Sequence, residues 1–178
     1  MKLEFRKLKA EEIECRIGQI KENGLSLLLY KDARCDMNVL DETVGALNWK
    51  REHTRDNKNC IVSIYDEDKK EWISKEDTGT ESNTEAEKGL ASDSFKRACV
   101  NWGIGRELYT APFIWIKAGD ANITSWKDTK GNTKFRCNDG FSVAKLTYKK
   151  NGDIDGLAIR NNKTGCVVFA QMPKEKKD

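Results

Sequence analysis

The spacing of apolar residues predicts two helices and a strand in the first quarter of the chain. Residues 8–20 carry apolar side chains at mostly helical spacing, which predicts a helix ended by Asn23-Gly24. The run LSLLLY at 25–30 has the length of a buried strand. A second helix is predicted over about 33–47, where the apolar positions step by three, four and three. The apolar positions of the two helices are Leu8, Ile13, Ile17, Ile20, Met37, Leu40, Val44 and Leu47.

Residues 48–77 alternate between strand-like segments and short polar turns. The segments NWKREHTR, NCIVSIY and EWISKED are separated by the turns DNKN and DEDKK. Turns this short favour pairing of consecutive strands. The sequence therefore predicts an antiparallel three-stranded meander.

A long helix is predicted from Thr84 to about residue 102. Thr84 and Glu87 form a T-x-x-E capping box, in which each side chain satisfies the backbone N–H of the other residue. Gly103 and Gly105 follow the last apolar position and are expected to end the helix. Its predicted buried stripe consists of Ala91, Phe95, Ala98 and Trp102.

After Pro112 the sequence predicts strands and loops. FIWI at 113–116 indicates a short strand, and the polar stretch 118–140 predicts a loop. FSVAKLTYKKNGDIDGLAIRN predicts a hairpin turned by Asn151-Gly152, and TGCVVFAQ adds one more strand. The last seven residues, MPKEKKD, are expected to fray.

Together these elements predict an α+β fold. Its core would be an antiparallel three-stranded meander packed on a long helix, a β-β-β-α arrangement. An N-terminal helix–strand–helix segment would precede this core, and a C-terminal β-hairpin extension would follow it. We expect two domains, a core at 1–111 and a β-rich extension with a frayed basic tail at 112–178.

Composition is typical of a protein in a reducing, aqueous compartment. The chain has 178 residues, of which 34% are charged, and no apolar run is long enough to span a membrane. The N-terminus lacks the apolar centre of a signal peptide, so a cytoplasmic location is expected. The six cysteines are scattered without a CxxC pair, and His53 is the single histidine. We therefore expect neither a metal site nor a cofactor.

Charge is distributed unevenly along the chain. The formal net charge is +3, but from Lys117 to the end thirteen Lys/Arg stand against seven Asp/Glu. A basic region of this kind is compatible with nucleic-acid binding and also with an ordinary solvated surface.

Patterns that would indicate an enzyme are weak. The acidic run 66–68 lies in a predicted turn, whereas acid–base catalysis needs a buried carboxyl group. The segment GIGR at 103–106 closes a helix instead of opening one, so it predicts a helix C-cap and not a phosphate loop. His53 stands among charged residues and is expected to be a surface or packing residue. We therefore expect a protein without catalytic activity.

Aromatic residues and paired cations offer a different chemistry. Trp49, Trp102 and Trp115 lie in apolar patterns and are predicted to be core residues, whereas Trp126 lies in a polar stretch. Trp126 is thus the tryptophan whose exposure we suspect, with core or interface burial as the alternative. Lys96-Arg97 places two cations side by side on the long helix, either as solvated charges or as contacts to phosphates.

The segment SDSFKRACVNWGIG, which contains this pair, resembles the D-G-L-K-R-A-L-R-S-F-G segment of the Rad52/22 family of single-strand annealing proteins. Residues 12–49 resemble the family's N-terminal stretch, and the loop DTGTES lies where the family has D-V-G-Y-G. The likeness covers about residues 10–110 in the same order. The chain length suits a small phage-type member.

The resemblance implies ATP-independent binding of single-stranded DNA and annealing of complementary strands in recombination and repair. It implies a homo-oligomeric ring, and it identifies single-stranded DNA and further copies of this chain as partners. A single-strand binding protein is a further expected partner, in the bacterial cytoplasm if the chain is phage-encoded. Members of the family hold the DNA backbone at the floor of a basic groove. The family positions that contact phosphates there match Arg34, Lys96 and Arg97.

Other positions match the family with less defined roles. Thr80 and Ser82 fall in the loop DTGTES, which faces the DNA-binding groove in the family. Lys88 matches a basic position of unassigned role. Val100 departs from the family, which often has an arginine there. Two other functions stay open. One is an RNA-binding or replication-accessory module without annealing activity, and the other is an enzyme acting on nucleotides through His53 and the acidic run.

Overall fold

A computed structural model describes residues 3–80 and 86–173 of the chain, and for residues 86–88 the backbone alone. Within this part the chain forms two α-helices, α1 (Ala33–Val44) and α2 (Ala86–Trp102). The strands follow in chain order as β1 (Ile13–Lys21), β2 (Gly24–Lys31), β3 (Trp49–Thr54), β4 (Asn59–Asp66), β5 (Glu71–Thr78), β6 (Ile114–Lys117), β7 (Ile123–Lys127), β8 (Thr133–Cys137), β9 (Phe141–Tyr148), β10 (Ile154–Asn161) and β11 (Val167–Gln171).

The strands form three antiparallel sheets. The largest has six strands in the order β11-β10-β9-β1-β2-β6, the second is β3-β4-β5, and the third is the β7-β8 pair. Strand content is 45% and helix content 23%. The predicted fold class is therefore wrong: the protein is mostly β, and the meander with its long helix is only one part of it.

Contacts divide the chain into two compact units. Unit 1 consists of Met1–Leu8 and Lys31–Arg106, and unit 2 consists of Lys9–Tyr30 and Glu107–Asp178. Unit 1 therefore contains both helices and the β3-β4-β5 sheet. The predicted division into domains at 1–111 and 112–178 stays a prediction.

Unit 1 is built on the predicted meander. Strands β3, β4 and β5 pair in register, with Trp49 opposite Ile64 and Ile64 opposite Ile73. Helix α2 packs on β4 and β5, and its Phe95, Ala98 and Cys99 are fully buried. The predicted apolar stripe of this helix is thus confirmed at its centre, while Ala91 and Trp102 are half-buried.

Adjacent residues of β3 point to opposite faces of this sheet, as in any strand. The guanidinium of Arg51 lies over the Phe95 ring, on the face that α2 covers. The ammonium of Lys50 lies over the Trp72 ring, on the other face. The two neighbouring cations of β3 therefore belong to two separate surfaces.

Helix α2 ends as the sequence predicts, at Gly103. This residue has a φ of +106°, which favours glycine. Its N–H donates to the Val100 carbonyl (2.9 Å), and the Ile104 N–H donates to the Cys99 carbonyl (3.1 Å). This pair of hydrogen bonds is a Schellman motif, which satisfies carbonyls that the helix itself leaves without donors. The predicted capping box at Thr84 and Glu87 lies outside the described residues and side chains.

Helix α1 is also confirmed, but it is shorter than predicted. It ends at Val44, where Gly45 takes a φ of +86°. Val39 and Leu40 are fully buried, whereas Leu47 is 92% exposed and lies beyond the helix. The periodic spacing therefore continued past the point at which glycine ends the helix.

The largest error among the predicted elements concerns the first strand of unit 2. Residues 8–20 form no α-helix; most of them belong to β1, which pairs with β9 at Glu14 and Ser142. The physical reason is that Ile13, Cys15 and Ile17 alternate with polar residues at a period of two, the period of a half-buried strand. Asn23 then lies in the two-residue turn of the β1-β2 hairpin and Gly24 begins β2, so this pair is not a helix stop.

The core of unit 2 lies on one face of the six-stranded sheet. Its buried members are Leu25, Leu27, Ile114, Ile116, Phe141, Ile154, Leu157 and Ile159. The predicted strand at 25–30, the short strand after Pro112, and the last three strands are confirmed.

The predicted loop at 118–140 contains the β7-β8 hairpin instead. The Asp128 carboxylate accepts from the Lys130 and Asn132 N–H groups, at 2.9 and 2.8 Å, and so closes the turn. Because both strands are polar and largely exposed, they lack the apolar alternation from which strands are recognised.

Candidate nucleic-acid interface

The start of α1 carries the first cation that the sequence singles out, Arg34. Asp32 is the N-cap, and its carboxylate accepts from the Arg34 backbone N–H (2.7 Å). The Arg34 guanidinium donates to the same carboxylate at 3.1 Å, and its side chain is 84% exposed. The helix start thus presents a guanidinium group to solvent beside a single carboxylate.

A buried ion pair lies directly beneath this helix start. The Lys31 ammonium binds both carboxylate oxygens of Asp36, and the side chains are 5% and 0% exposed. Burial raises the pKa of Asp36 to about 6, although the Lys31 charge acts in the opposite direction. Lys31 also donates to the backbone carbonyl of Lys96 at 3.5 Å. Since removing one partner of a buried pair is costly, this contact fixes α1 to α2.

The glycine after α2 makes room for the same lysine. Gly105 has a φ of +70°, and a Cβ there would lie 2.4 Å from the Lys31 Cε. The second helix-stopping glycine is therefore required by close packing against Lys31 as well as by its backbone conformation.

Lys96 lies on the side of α2 that faces α1. The pKa of Asp32 lies below its ordinary value, because Arg34 donates to it and because the charges of Arg34 and Lys96 act on it. The Lys96 charge also acts to lower the pKa of Asp36, against the larger effect of burial. Among the described residues the Lys96 side chain has no ion-pair partner, and it is partly exposed. The structure therefore brings Arg34 and Lys96 together around Asp32.

Arg97 lies on the opposite flank of α2. Its guanidinium contacts the Asp77 carboxylate of β5 at 3.4 Å, and 45% of its side chain is exposed. Successive residues of a helix are separated by about 100° around its axis, so Lys96 and Arg97 point in different directions. The structure therefore places Arg97 beside β5 and Lys96 beside α1, and contact of all three predicted cations with one strand stays a prediction.

The remaining predicted site residues lie at or before the N-terminus of α2. Thr80 is exposed, and its N–H and hydroxyl both donate to Asp93, at 2.9 and 3.3 Å. Ser82 lies outside the described residues. Lys88 belongs to α2, in the stretch where the backbone alone is described.

Arg51 is an exposed cation of the same unit that the sequence reasoning did not single out. Its guanidinium lies 4.8 Å from the centre of the Phe95 ring, on which Trp49 also stacks at 6.1 Å. The available signal was strand alternation: Trp49 was predicted to be buried, and Arg51 is two residues further along the same strand.

Groups considered for catalysis have ordinary structural surroundings. His53 is partly buried, which lowers its pKa, and its Nδ1 lies 3.4 Å from the Ser94 hydroxyl. Glu67 and Asp68 are exposed in the β4–β5 turn. Within residues 3–80 and 86–173 no group of three His, Cys, Asp or Glu side chains is arranged to hold a metal ion.

The tryptophans divide largely as predicted. Trp49, Trp102 and Trp115 are half-buried, and Trp102 donates from Nε1 to the Val62 carbonyl at 3.0 Å. Trp126 is 52% exposed on β7. Its suspected exposure is confirmed.

The chain matches the model of the Rad52/22 family double-strand break repair protein over residues 62–127, which is less than half of its length. That segment runs from β4 to β7 and includes α2 with Lys96 and Arg97. No curated protein and no solved structure matches. None of the described helices has the length and apolar character needed to cross a bilayer. The family match confirms the resemblance indicated by the sequence over these residues.

Proposed function

We propose that this protein binds single-stranded DNA and anneals complementary strands without ATP, as a homo-oligomeric ring. The family match supports a general role in DNA recombination and repair. The observation that carries the finer proposal is on the surface of unit 1: the Arg34 guanidinium contacts Asp32 at the start of α1, and Lys96 lies on the side of α2 that faces this helix start.

The chemistry of this surface suits the proposed task. Annealing requires that a protein hold the sugar–phosphate backbone while the base edges remain free to pair. Cationic side chains bind phosphates without reading sequence, so they leave those edges unoccupied. No covalent bond is made or broken, and the proposal assigns no catalytic residue.

The surface is also held in place from below. The buried Lys31–Asp36 pair, together with the contact from Lys31 to the Lys96 carbonyl, joins the start of α1 to the middle of α2. Arg34 and Lys96 are therefore carried by two helices that Lys31 links. Such preorganisation lowers the entropy lost when a flexible strand binds.

The double substitution Arg34→Ala plus Lys96→Ala tests the DNA site. We expect it to weaken binding of a fluorescent oligonucleotide, measured by anisotropy, by roughly ten-fold or more, because charge-assisted hydrogen bonds contribute about 1.5–3 kcal/mol each. The slope of log affinity against log salt should fall by about 0.7 per lost phosphate contact. The rate of annealing of complementary oligonucleotides without ATP should fall in parallel.

Lys50→Ala is the matched control, because it removes an exposed cation from the other face of the sheet. It should leave affinity and salt slope unchanged. Unchanged binding by the double variant at moderate salt would contradict the proposal. Competition between DNA and RNA oligonucleotides of equal length separates annealing of DNA from the alternative of an RNA-binding module, which preferential RNA binding would favour.

A further inference from the structure

Arg51 occupies an unusual position for an exposed arginine. It lies on β3, the edge strand of the β3-β4-β5 sheet, on the face that α2 covers. One face of its guanidinium rests over Phe95, which is itself fully buried and stacked against Trp49. The group is thus held by a cation–π contact to a ring that cannot move.

The N–H groups of Arg51 are not used by the fold. Within the described residues the guanidinium has neither an ion-pair nor a hydrogen-bond partner. Arg34 contacts Asp32 and Arg97 contacts Asp77, so a carboxylate offsets part of the positive charge of each guanidinium. Arg51 instead is exposed without a carboxylate contact among the described residues.

Arg51 also lies against the helix that carries Lys96. It contacts Phe95, the residue before Lys96 on α2. The charges of Asp36, Lys31 and Arg51 all act on the Cys99 thiol, one turn further along the helix. Arg51 on β3 therefore lies against α2, the helix that carries Lys96, and α2 in turn contacts α1, which carries Arg34.

We propose that Arg51 is a phosphate-binding residue of this surface, and that the nucleic-acid strand crosses from α1 over α2 to the edge of β3. This inference rests on the proposed function. The guanidinium fork binds phosphate oxygens in pairs, which an ammonium cannot do. Because Phe95 covers one face of the group, the fork is already oriented and loses little freedom when a phosphate binds. Arg51 thus adds a third cation to the set formed by Arg34 and Lys96.

The test compares neighbouring cations on opposite faces of one strand. Arg51→Met removes the charge but keeps an aliphatic cover over Phe95, and Lys50→Met is its matched control. Binding of a fluorescent oligonucleotide is measured at several salt concentrations, with thermal unfolding as a check on folding. We expect Arg51→Met to bind roughly ten-fold more weakly and with a salt slope lower by about 0.7, while Lys50→Met behaves as wild type.

Arg51→Lys distinguishes bidentate contact from charge alone. It should retain the wild-type salt slope while losing part of the affinity, since a lysine keeps the charge but not the planar fork. Wild-type affinity and slope in Arg51→Met, or an equal loss in Lys50→Met, would overturn the role of Arg51. If Arg34→Ala plus Lys96→Ala weakens binding and Arg51→Met does not, this inference fails alone. If the wild-type protein does not bind the oligonucleotide, the proposed function fails instead.

Discussion

Asp32 has two opposed effects at the level of single residues. Its carboxylate caps α1 by accepting from the Arg34 N–H, and it also lies beside the Arg34 and Lys96 side chains. A carboxylate between two cations competes with a phosphate for the same donors. The residue that organises the helix start therefore also weakens the surface as an anion site.

Substitution of Asp32 by Ser separates these effects. Serine is as good an N-cap as aspartate, so stability should change by less than about 0.5 kcal/mol. Loss of the competing charge should raise oligonucleotide affinity by roughly two- to five-fold, since exposed ion pairs contribute about 0.2–1 kcal/mol. Anisotropy and chemical denaturation measure the two quantities. Weaker binding by the variant would argue against a phosphate site at Arg34 and Lys96.

The pH dependence of Asp32 has a defined sign. The pKa of Asp32 in the folded state lies below its ordinary value. Ionisation of Asp32 therefore stabilises the fold at pH values above that ordinary pKa. This contribution is lost as the pH falls through the lowered pKa.

At the scale of elements, the close approach of Gly79 to α2 positions the helix. A Cβ at Gly79 would lie 2.7 Å from the Ser94 nitrogen and 2.9 Å from the Leu90 carbonyl oxygen. The Gly79 N–H donates to the Lys58 carbonyl at 2.7 Å, which holds the end of β5 in place. The helix that carries Lys96 therefore packs directly against the Gly79 backbone, because glycine has no side chain to hold the two apart.

Gly79→Ala should destabilise the protein by about 1–3 kcal/mol, because the atoms it would meet belong to the backbone and cannot move aside. Gly119→Ala is the control, since nothing lies within 4 Å of its Cβ position. The free energy of unfolding from urea titration measures both. Equal stability of the two variants would show that α2 can shift, and the Lys96 position would then be less constrained than described.

The sequence reveals those elements whose apolar period is unambiguous. The spacing of Phe95 and Ala98 and the glycine at 103 were sufficient to predict α2, and Arg34 and Lys96 were identified from their place in the resemblance. Strand β1 was missed because its apolar positions satisfy both periods over a short stretch. The flank of α2 on which Arg97 lies depends on which side of the helix the sheet covers. The position of Arg51 over Phe95 depends on how β3 pairs within that sheet. Neither can be derived without the tertiary contacts.

The net charge of the whole molecule, +3 in 178 residues, is small for the proposed binding of nucleic acid. In the described part of unit 1, Arg34, Lys96 and Arg51 are the cations assigned to the proposed surface, and three cations contact few phosphates. A closed ring of identical subunits would align these cations into one continuous path. The weak charge of one chain is therefore compatible with firm binding by an assembly.

Light scattering of the purified protein tests this assembly. We expect a mass that is a several-fold multiple of 20.3 kDa, with and without oligonucleotide. The Arg34→Ala plus Lys96→Ala variant serves as the control, because loss of phosphate contacts should leave the assembly of the free protein unchanged. A mass of one chain under both conditions would exclude the ring.

The thiols of this protein differ sharply in their surroundings. All six cysteines are free, and burial raises the pKa of Cys15 and Cys60 to about 11 and holds that of Cys99 well above its ordinary value. Cys166, just before β11 in unit 2, is exposed. Maleimide dyes react with accessible thiolates. The unmodified chain therefore carries its own attachment point for a fluorophore, away in sequence from every cation assigned to the DNA strand.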